Sequence, residues 1–519
     1  MHSMSNNFFN VRGDKIVIIK NSFIILFVIF LVFSRFIADL FVVLGALSFI
    51  FLKFKKNVKI NSNILFYFIF FYIYLIINSF NSEVTLISLS TVLPYIRFIF
   101  FIFFFRIFFC DRSSLETLLY SFFFIYAILL LDVIFQIQVG HNYFGYITES
   151  SGRISSFFGR RLILGSFISK TFVIVIFLIF HLNIKYKYFA YVITVIVSAF
   201  LVYVSRERAA LFVFTGSLFI SFFLIEKKYF FKIISKVLLK IFILFFFYQQ
   251  PLKRIYYHTI SQLFEESKSF TIFSERHTLH YITAIRIFNT HPFLGSGVNS
   301  FRHLCGKETY SVQDLIINNP NNKTFSKDDG YYYYINNYFL PGEKTNYDLF
   351  LVFHEEYFEN TIRKYNKKEI LEYITNKKSE NVHQKYFTMH MIPHHYIFDK
   401  INYKNFDYVK KGSLLFISYE FQNGCNTHPH HIYLQFLSEV GIFGFIFLFI
   451  FYFFICKSLL IKIVKFIKKG VVTNDVVIYG YFFTVFLPLI PSGNFFNNYY
   501  SILLYFPLTF LVLCQSQRK

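Results

Sequence analysis

Long apolar runs alternate with short charged segments along most of the 519-residue chain. The run from Tyr188 to Ser205, YFAYVITVIVSAFLVYVS, reaches the roughly 18–20 apolar residues that a helix needs to cross a bilayer. The pattern predicts about twelve spans, at 21–34, 37–52, 63–80, 94–110, 117–137, 162–182, 188–205, 209–225, 229–249, 431–456, 474–490 and 496–515. The fold class predicted is therefore an all-α polytopic membrane protein.

One long segment, residues 250–430, is polar and contains no run long enough to span a membrane. A loop of this length usually carries function. We expect a large loop domain of mixed secondary structure between the ninth and tenth helices, with a helix near 354–377 and a strand near 413–421. The predicted domains are transmembrane helices 1–9 at 1–249, the loop domain at 250–430, and helices 10–12 at 431–519.

The amino-acid composition excludes a soluble protein. Hydrophobic residues make up 55% of the chain and charged residues 16%, so a soluble fold could not cover its apolar surface. The net charge of +23 is spread over the loops between apolar runs. Because it is not gathered on one face or in one domain, it does not indicate nucleic-acid binding.

The basic residues fall in alternate loops, which predicts the orientation of the chain. With the N-terminus inside, most Lys and Arg residues lie in cytoplasmic loops, whereas the short outer loops at 81–93 and 491–495 contain neither. This follows the positive-inside rule. We therefore expect both termini in the cytoplasm and the 250–430 domain on the opposite side of the membrane.

Several arginines break this rule and lie on the predicted outer side. Arginine forks bind phosphate groups well, so an anionic ligand such as a diphosphate would explain them. Tolerated exceptions to the rule and interfacial snorkelling are the alternatives. The arginines concerned are Arg153, Arg160 and Arg161 after the fifth span, Arg206 and Arg208 before the eighth, and Arg276 and Arg302 in the loop domain.

A polar stripe marks the start of the tenth span. On a helix that begins near His430, the side chains of His431, Gln435, Ser438 and Glu439 share one face. Such a stripe is expected to face protein or water instead of lipid. Three interpretations are open: a proton-transfer histidine at a catalytic cavity, a metal site for which no matching ligand set is evident, or histidines that cap the helix.

Cys305 and Cys425 are the cysteines of the predicted loop domain. In an oxidising compartment two such cysteines are expected to form a disulfide, and two free thiols are the alternative.

These stretches, in this order, resemble the bacterial O-antigen ligase and O-antigen polymerase family of integral-membrane glycosyltransferases. His430-His431, nine residues and then Gly441-Ile442-Phe443-Gly444 are similar to the family's His-Asn, nine residues, Gly-x-x-Gly pattern, with His431 where Asn is usual. The segment SRERAALFVF resembles the family's Ser-Gly-Glu-Arg-type segment, in which Arg208 aligns best. The region from Arg276 to Cys305 resembles the part with a loop arginine and a His-Pro-x-x-Gly-x-Gly turn, and LPLIPSGNFFNNYYS resembles the tail of polymerase-like members.

The resemblance implies a metal-independent enzyme without a cofactor in the bacterial inner membrane. It would transfer glycan on the periplasmic side from an undecaprenyl-diphosphate-linked oligosaccharide to lipid A–core or to a second lipid-linked glycan. Membrane lipids and a chain-length regulator are the further candidate partners, and no nucleic acid is expected. The SRER and tail segments favour a polymerase over a ligase. A transporter or flippase of lipid-linked glycans is the alternative, although it would predict two related halves, which the sequence lacks.

The resemblance also assigns roles residue by residue. His430 would act as base or orient the acceptor hydroxyl, while Arg208 and Arg276 would hold the diphosphate leaving group. The residues expected to help bind diphosphate or glycan are Arg206, Arg153, His431, Gln435 and Glu439.

Overall fold

The computed structural model describes residues 2–55, 62–148, 152–159, 161–247, 275–307, 309–310, 331–339, 346–353, 415–418, 426–470 and 472–516. Its first helices are α1 (His2–Phe33), α2 (Arg35–Lys55), α3 (Ser62–Phe80), α4 (Thr85–Val92), α5 (Ile96–Phe108) and α6 (Arg112–Val139). They are followed by α7 (Leu164–His181), α8 (Lys187–Ser205), α9 (Arg208–Ser221), α10 (Lys227–Phe247), α11 (Glu275–Thr290) and α12 (Phe301–Leu304). The last four are α13 (Ile432–Gln435), α14 (Gly441–Lys469), α15 (Val476–Val485) and α16 (Asn498–Ser516).

Each predicted span coincides with a helix, which confirms a mostly helical membrane protein. Within the described residues, six helical stretches are long and apolar enough to cross a membrane: Lys15–Phe33, Thr85–Phe108, Arg112–Val139, Leu164–His181, Lys187–Ser205 and Ile432–Lys469. Shorter apolar helices lie at Leu65–Phe80, Arg208–Leu224 and Val476–Val485. Length and hydropathy thus support a multi-pass protein, while the number of twelve spans, their orientation and the domain limits stay predictions.

Local sequence explains where several helices begin and end. Asp111 caps α6, because its carboxylate accepts a hydrogen bond from the backbone N–H of Ser114 (3.1 Å). Pro94 lies in a 3₁₀ turn, Leu93–Tyr95, that joins α4 to α5. The fourth predicted span therefore starts earlier than the apolar run at 94–110 indicated, since α4 extends it back to Thr85.

Aromatic side chains fill much of the helix packing. Phe506 of α16 lies against Phe27 of α1 and Phe105 of α5, with ring centroids 5.3 Å and 5.0 Å apart in edge-to-face geometry. Helix α7 lies at the centre of the bundle, where it packs against α6, α8, α9, α15 and α16. Polar groups at its outer end are consequently enclosed by protein on most sides.

The described part of the loop region contains three strands. β1 (Tyr331–Phe339), β2 (Asn346–Phe353) and β3 (Leu415–Ser418) form an antiparallel sheet in that order. Tyr331 pairs with Phe353, and Leu349 pairs with Ser418. β3 falls inside the segment 413–421 where the sequence predicts a strand. The helix predicted near 354–377 lies outside the described residues.

Candidate active site

Two segments far apart in the sequence are joined by backbone hydrogen bonds on the predicted outer side. The turn that follows α11 donates from the N–H groups of Ser296 and Gly297 to the carbonyls of Ser438 (3.0 Å) and Glu439 (2.8 Å). In return, the N–H of Ile442 donates to the carbonyl of Pro292 (2.9 Å). The His-Pro-x-x-Gly-x-Gly turn and the start of the tenth predicted span therefore form one unit.

This close approach depends on glycine. Gly295 and Gly441 have positive φ angles of 77° and 72°, which favour a residue without a side chain. A Cβ on Gly295 would overlap the backbone of Glu439 and Gly441. A side chain at either glycine would push the two segments apart.

The start of the tenth predicted span differs from the regular helix that the sequence suggested. The helix begins at Ile432 instead of near His430, and Phe436–Val440 form a π-helical turn between α13 and α14. His431 caps α13: its Nδ1 accepts from the N–H of Leu434 (3.4 Å), and its Nε2 donates to the carbonyl of Pro488 (2.6 Å). π turns often lie at functional sites.

Gln435 and Glu439 belong to a buried network. Gln435 Nε2 donates to Glu439 Oε2 (2.9 Å) and to Asn494 Oδ1 (2.7 Å), and its Oε1 accepts from the N–H of Phe495 (3.0 Å). Gln435 and Glu439 have no exposed surface. In this arrangement they hold the 494–495 segment against α13, and direct contact of either residue with glycan stays a prediction.

Four imidazole rings meet beside this network, and we call them the histidine cluster: His277, His280, His428 and His430. The ring centroid of His430 lies 4.1 Å from that of His428, 5.5 Å from that of His280 and 5.7 Å from that of His277. His277 and His280 lie on the same face of α11, since they are three residues apart. Helix α11 thus brings two histidines to His430 that were not predicted from the sequence.

Hydrogen bonds define the protonation of the His430 ring. Asn426 Oδ1 accepts from the N–H of Thr427 (2.7 Å), so its amide nitrogen faces His430 and donates to Nε2 (2.9 Å). Nε2 is therefore the unprotonated nitrogen of a neutral ring. His430 also has a left-handed backbone conformation (φ 58°), which is uncommon for a non-glycine residue.

Burial is the main cause that lowers the pKa of His428 to about 3 and that of His430 well below its ordinary value. Neighbouring imidazoles lower both pKa values further, because a second positive charge nearby is unfavourable. The two rings are consequently neutral at neutral pH. Within the described residues, no group of three or more His, Cys, Asp or Glu side chains is arranged to hold a metal ion.

A second group, the arginine cluster, consists of Arg153, Arg206, Glu207 and Arg208. Arg206 ends α8 in a left-handed conformation (φ 55°), and its guanidinium lies where a Cβ on Gly152 would be. Arg208 begins α9. Arg153 interacts electrostatically with both Glu207 and Arg208.

Glu207 ties this cluster to α7. Its carboxylate accepts from the N–H groups of Gly165 (2.8 Å) and Ser166 (3.1 Å) and from the hydroxyl of Ser166 (2.7 Å). A carboxylate at the N-terminus of a helix is favourable. Burial raises the pKa of Glu207, and the positive charge of Arg153 opposes that shift.

The segment 492–500 contacts the histidine cluster at one end and Lys170, a neighbour of the arginine cluster, at the other. The N–H of Ser492 donates to the carbonyl of His430 (2.8 Å), and its carbonyl accepts from Nε2 of His428 (3.3 Å). At the other end, the ring of Tyr500 lies 3.7 Å below the ammonium of Lys170, which interacts electrostatically with Glu207. The tail segment therefore links the histidine cluster to the arginine cluster.

Residues 193–340 match the family described as O-antigen ligase. The resemblance to the O-antigen ligase family is confirmed. No curated protein and no solved structure matches the chain. The match supports an enzyme of the O-antigen ligase or polymerase type, with lipid-linked glycans as substrates. The matched range includes Arg206, Arg208 and Arg276. It ends before His430, so the assignment of His430 rests on the His430-His431 to Gly444 motif alone.

Three more of the arginines on the predicted outer side are Arg276, Arg160 and Arg161. Arg276 lies in the first turn of α11, next to His277, and its side chain is outside the described part of the structure. Arg161 is exposed, and Arg160 is not among the described residues. The roles given to these arginines, and to every other residue named from the resemblance, stay predictions.

Cys305 is buried and disulfide-bonded, and its sulfur lies 3.8 Å from the carbonyl oxygen of Asn426. Its predicted partner Cys425 precedes Asn426 directly but lies outside the described residues. The proposed pairing would fasten the end of α12 to the histidine cluster.

Sequence reasoning missed Glu207, Lys170, Asn426, His277 and His280. Glu207 had a recognisable signal, because it is the acid between two arginines that break the charge rule. Lys170, His277 and His280 gain their surroundings from contacts between distant segments, whereas Asn426 bonds to His430 only four residues along the chain.

Proposed function

We propose that the protein is an inner-membrane glycosyltransferase that polymerises or ligates lipid-linked O-antigen repeats. The donor is an undecaprenyl-diphosphate-linked oligosaccharide, the reaction takes place on the periplasmic side, and polymerase is favoured over ligase. Both termini are cytoplasmic in this proposal, and no metal ion is required.

The observation that carries the proposal is the link between a neutral histidine and a group of arginines. His430 has an unprotonated Nε2 in a buried position, held by the hydrogen bond from Asn426. The segment 492–500 connects its surroundings to the arginine cluster through Tyr500 and Lys170. The first group offers an unprotonated ring nitrogen that can accept a hydrogen bond from a hydroxyl, and the second suits a diphosphate.

In the proposed reaction the acceptor hydroxyl displaces the Asn426 amide from Nε2 of His430. The hydroxyl oxygen then forms a bond to the anomeric carbon of the donor sugar. The bond from that carbon to the diphosphate oxygen breaks, and the diphosphate leaves with the electron pair. The hydroxyl proton passes to Nε2 of His430, and Arg208 and Arg276 stabilise the charge that develops on the leaving group.

Two segments support polymerase over ligase. SRERAALFVF and LPLIPSGNFFNNYYS resemble polymerase-like members, and both interact with Lys170: Glu207 through its charge and Tyr500 through its ring. A polymerase joins carrier-linked repeats, whereas a ligase transfers a finished chain to lipid A–core.

The test is deletion of the gene followed by gel analysis of lipopolysaccharide. Core capped with a single repeat is the expected result for a polymerase. Bare core together with long carrier-linked chains would instead identify a ligase. An unchanged ladder would contradict both, and loss of all periplasmic carrier-linked glycan would favour a flippase.

Complementation tests the role of His430. The His430→Ala variant should leave the ladder absent at normal expression, whereas His141→Gln should restore it. His141 is an exposed histidine of another loop and serves as the matched control. A ladder restored by His430→Ala would remove His430 from the mechanism.

A further inference from the structure

Lys170 is an ionisable residue in a mostly apolar helix. It lies in α7, roughly 9 Å along the axis from Leu164, since each residue adds about 1.5 Å. Ser166 precedes it by four residues and therefore lies on the same face of the helix, one turn nearer the outer end. Ser166 is the residue that binds Glu207, so Lys170 lies on the membrane side of the arginine cluster.

The side chain of Lys170 is buried, and its ammonium has no hydrogen-bond acceptor among the described residues. The residue is 6% exposed, its Nζ lies 3.7 Å from the centroid of the Tyr500 ring, and its remaining interaction is electrostatic, with Glu207. A lysine ammonium has three N–H donors, and the face of an aromatic ring does not replace three acceptors. Leaving such a group unpaired in a protein interior is unfavourable.

Lys462 shows how this fold treats a buried lysine with a structural role. It is 7% exposed, nearly the same as Lys170. Its Nζ donates to Thr473 Oγ1 (2.6 Å) and to Asp475 Oδ1 (2.7 Å). The protein itself therefore supplies acceptors for Lys462, and at Lys170 it supplies the face of Tyr500 and the charge of Glu207.

The carboxylate of Glu207 is already occupied by Gly165 and Ser166. Among the described residues no side chain accepts a hydrogen bond from Lys170, so a bound molecule is the natural source of an acceptor. The three arginines beside Glu207 make an anion the suitable one, and a diphosphate has oxygens enough for all four cations. Because the lipid chain of a carrier lies in the membrane, the phosphate next to that chain lies deepest.

We propose that Lys170 binds the phosphate of the carrier diphosphate that is attached to the lipid, while the arginine cluster binds the phosphate attached to the sugar. This inference rests on the proposed function. It assigns the deeper half of the diphosphate site to α7.

The experiment measures binding of undecaprenyl diphosphate to the purified full-length protein in detergent. Lys170→Met should weaken binding at least about tenfold, because it removes one hydrogen bond between charged groups. Lys170→Arg should keep most of the wild-type affinity. Lys462→Met is the matched control: it should leave the affinity unchanged, although it lowers thermal stability. If Lys170→Met does not fold, Lys170→Gln takes its place.

The outcomes separate this inference from the proposed function. Failure of the wild-type protein to bind undecaprenyl diphosphate would contradict the proposed donor, and with it the role of Lys170. Normal binding by wild type and Lys170→Met alike would overturn the role of Lys170 alone. An equal loss of affinity in Lys170→Met and Lys462→Met would make the effect structural and would also overturn it.

Discussion

The segment 492–500 bonds to the histidine cluster at one end and, at the other, contacts Lys170, which interacts electrostatically with Glu207 of the arginine cluster. The electrostatics of the two clusters are opposite. The rings of His428 and His430 are kept neutral by burial and by one another. The arginine cluster gathers three permanent cations around the single carboxylate of Glu207. A neutral ring can accept a proton, whereas permanent cations can stabilise a leaving anion. In the proposed function, the neutral region would therefore receive the acceptor hydroxyl, and the cationic region would stabilise the charge of the leaving group.

The largest expected effect comes from removing a cation. Arg208→Ala should lower the rate of glycan transfer by roughly 10²–10³-fold, the usual cost of losing one group that stabilises developing charge. Arg208→Lys keeps the charge but loses the two-pronged geometry, so an intermediate rate is expected. The measurement is transfer from undecaprenyl-diphosphate-linked repeats by purified protein.

Arg161→Ala is the matched control for this experiment, because Arg161 is exposed in the neighbouring loop. Its rate should equal that of wild type. Equal losses in Arg208→Ala and Arg161→Ala would show that general positive charge matters and that the arginine cluster does not.

The hydrophobic pattern predicted the helices well, because a membrane-spanning helix can be recognised from the apolar composition of its own segment. It did not predict the π turn at Phe436–Val440, which interrupts the regular helical register between α13 and α14. This π turn forms where the turn after α11 donates hydrogen bonds to the carbonyls of Ser438 and Glu439. That turn lies more than a hundred residues away in sequence, at Ser296 and Gly297.

The candidate site was predicted only where a motif or an odd charge marked it. His430 and Arg208 carried such marks. His280 did not, because a histidine in an amphipathic helix is ambiguous until its neighbours are known. Lys170 carried one, as an ionisable residue inside an apolar span, but the charge rule considers only the loops. Their neighbours, His430 and Tyr500, lie on other segments.

The second prediction concerns pH and the neutral region. The pKa of His428 is about 3 in the folded protein and about 6.5 when unfolded, so the unfolded chain binds the proton first as pH falls. Stability is therefore complete above pH 6.5 and declines between pH 6.5 and 3. At pH 5 the loss from His428 is about 2 kcal/mol, and His428→Gln should remove it.

Thermal unfolding in detergent between pH 5 and pH 7.5 measures this effect. Wild type should lose more stability over that range than His428→Gln, while His141→Gln should follow wild type. Parallel curves for wild type and His428→Gln would mean that His428 is not a buried neutral ring, and the electrostatic contrast between the clusters would fail.

The smallest effect is expected at a third charged group, which lies outside both clusters. Glu83 pairs with Lys307 and lies 3.3 Å from His291 at the end of α11. The hydrogen bond from Lys307 is the main cause that lowers the pKa of Glu83. However, the Glu83 side chain is 33% exposed and that of Lys307 is 50% exposed, so water screens the pair. Lys307→Gln should therefore cost no more than about 1 kcal/mol of stability and leave the transfer rate unchanged.

The Glu83–Lys307 pair sharpens the comparison, because it contains a glutamate and a lysine, as at Glu207 and Lys170, but is partly exposed to water. If burial gives the two clusters their chemistry, Lys307→Gln must leave donor affinity unchanged under conditions in which Lys170→Met weakens it. Both variants can be compared in one binding titration with undecaprenyl diphosphate at low and high salt. A loss at Lys307 that disappears in high salt would mean that long-range charge attracts the donor, and burial would then explain only part of the difference between these lysines.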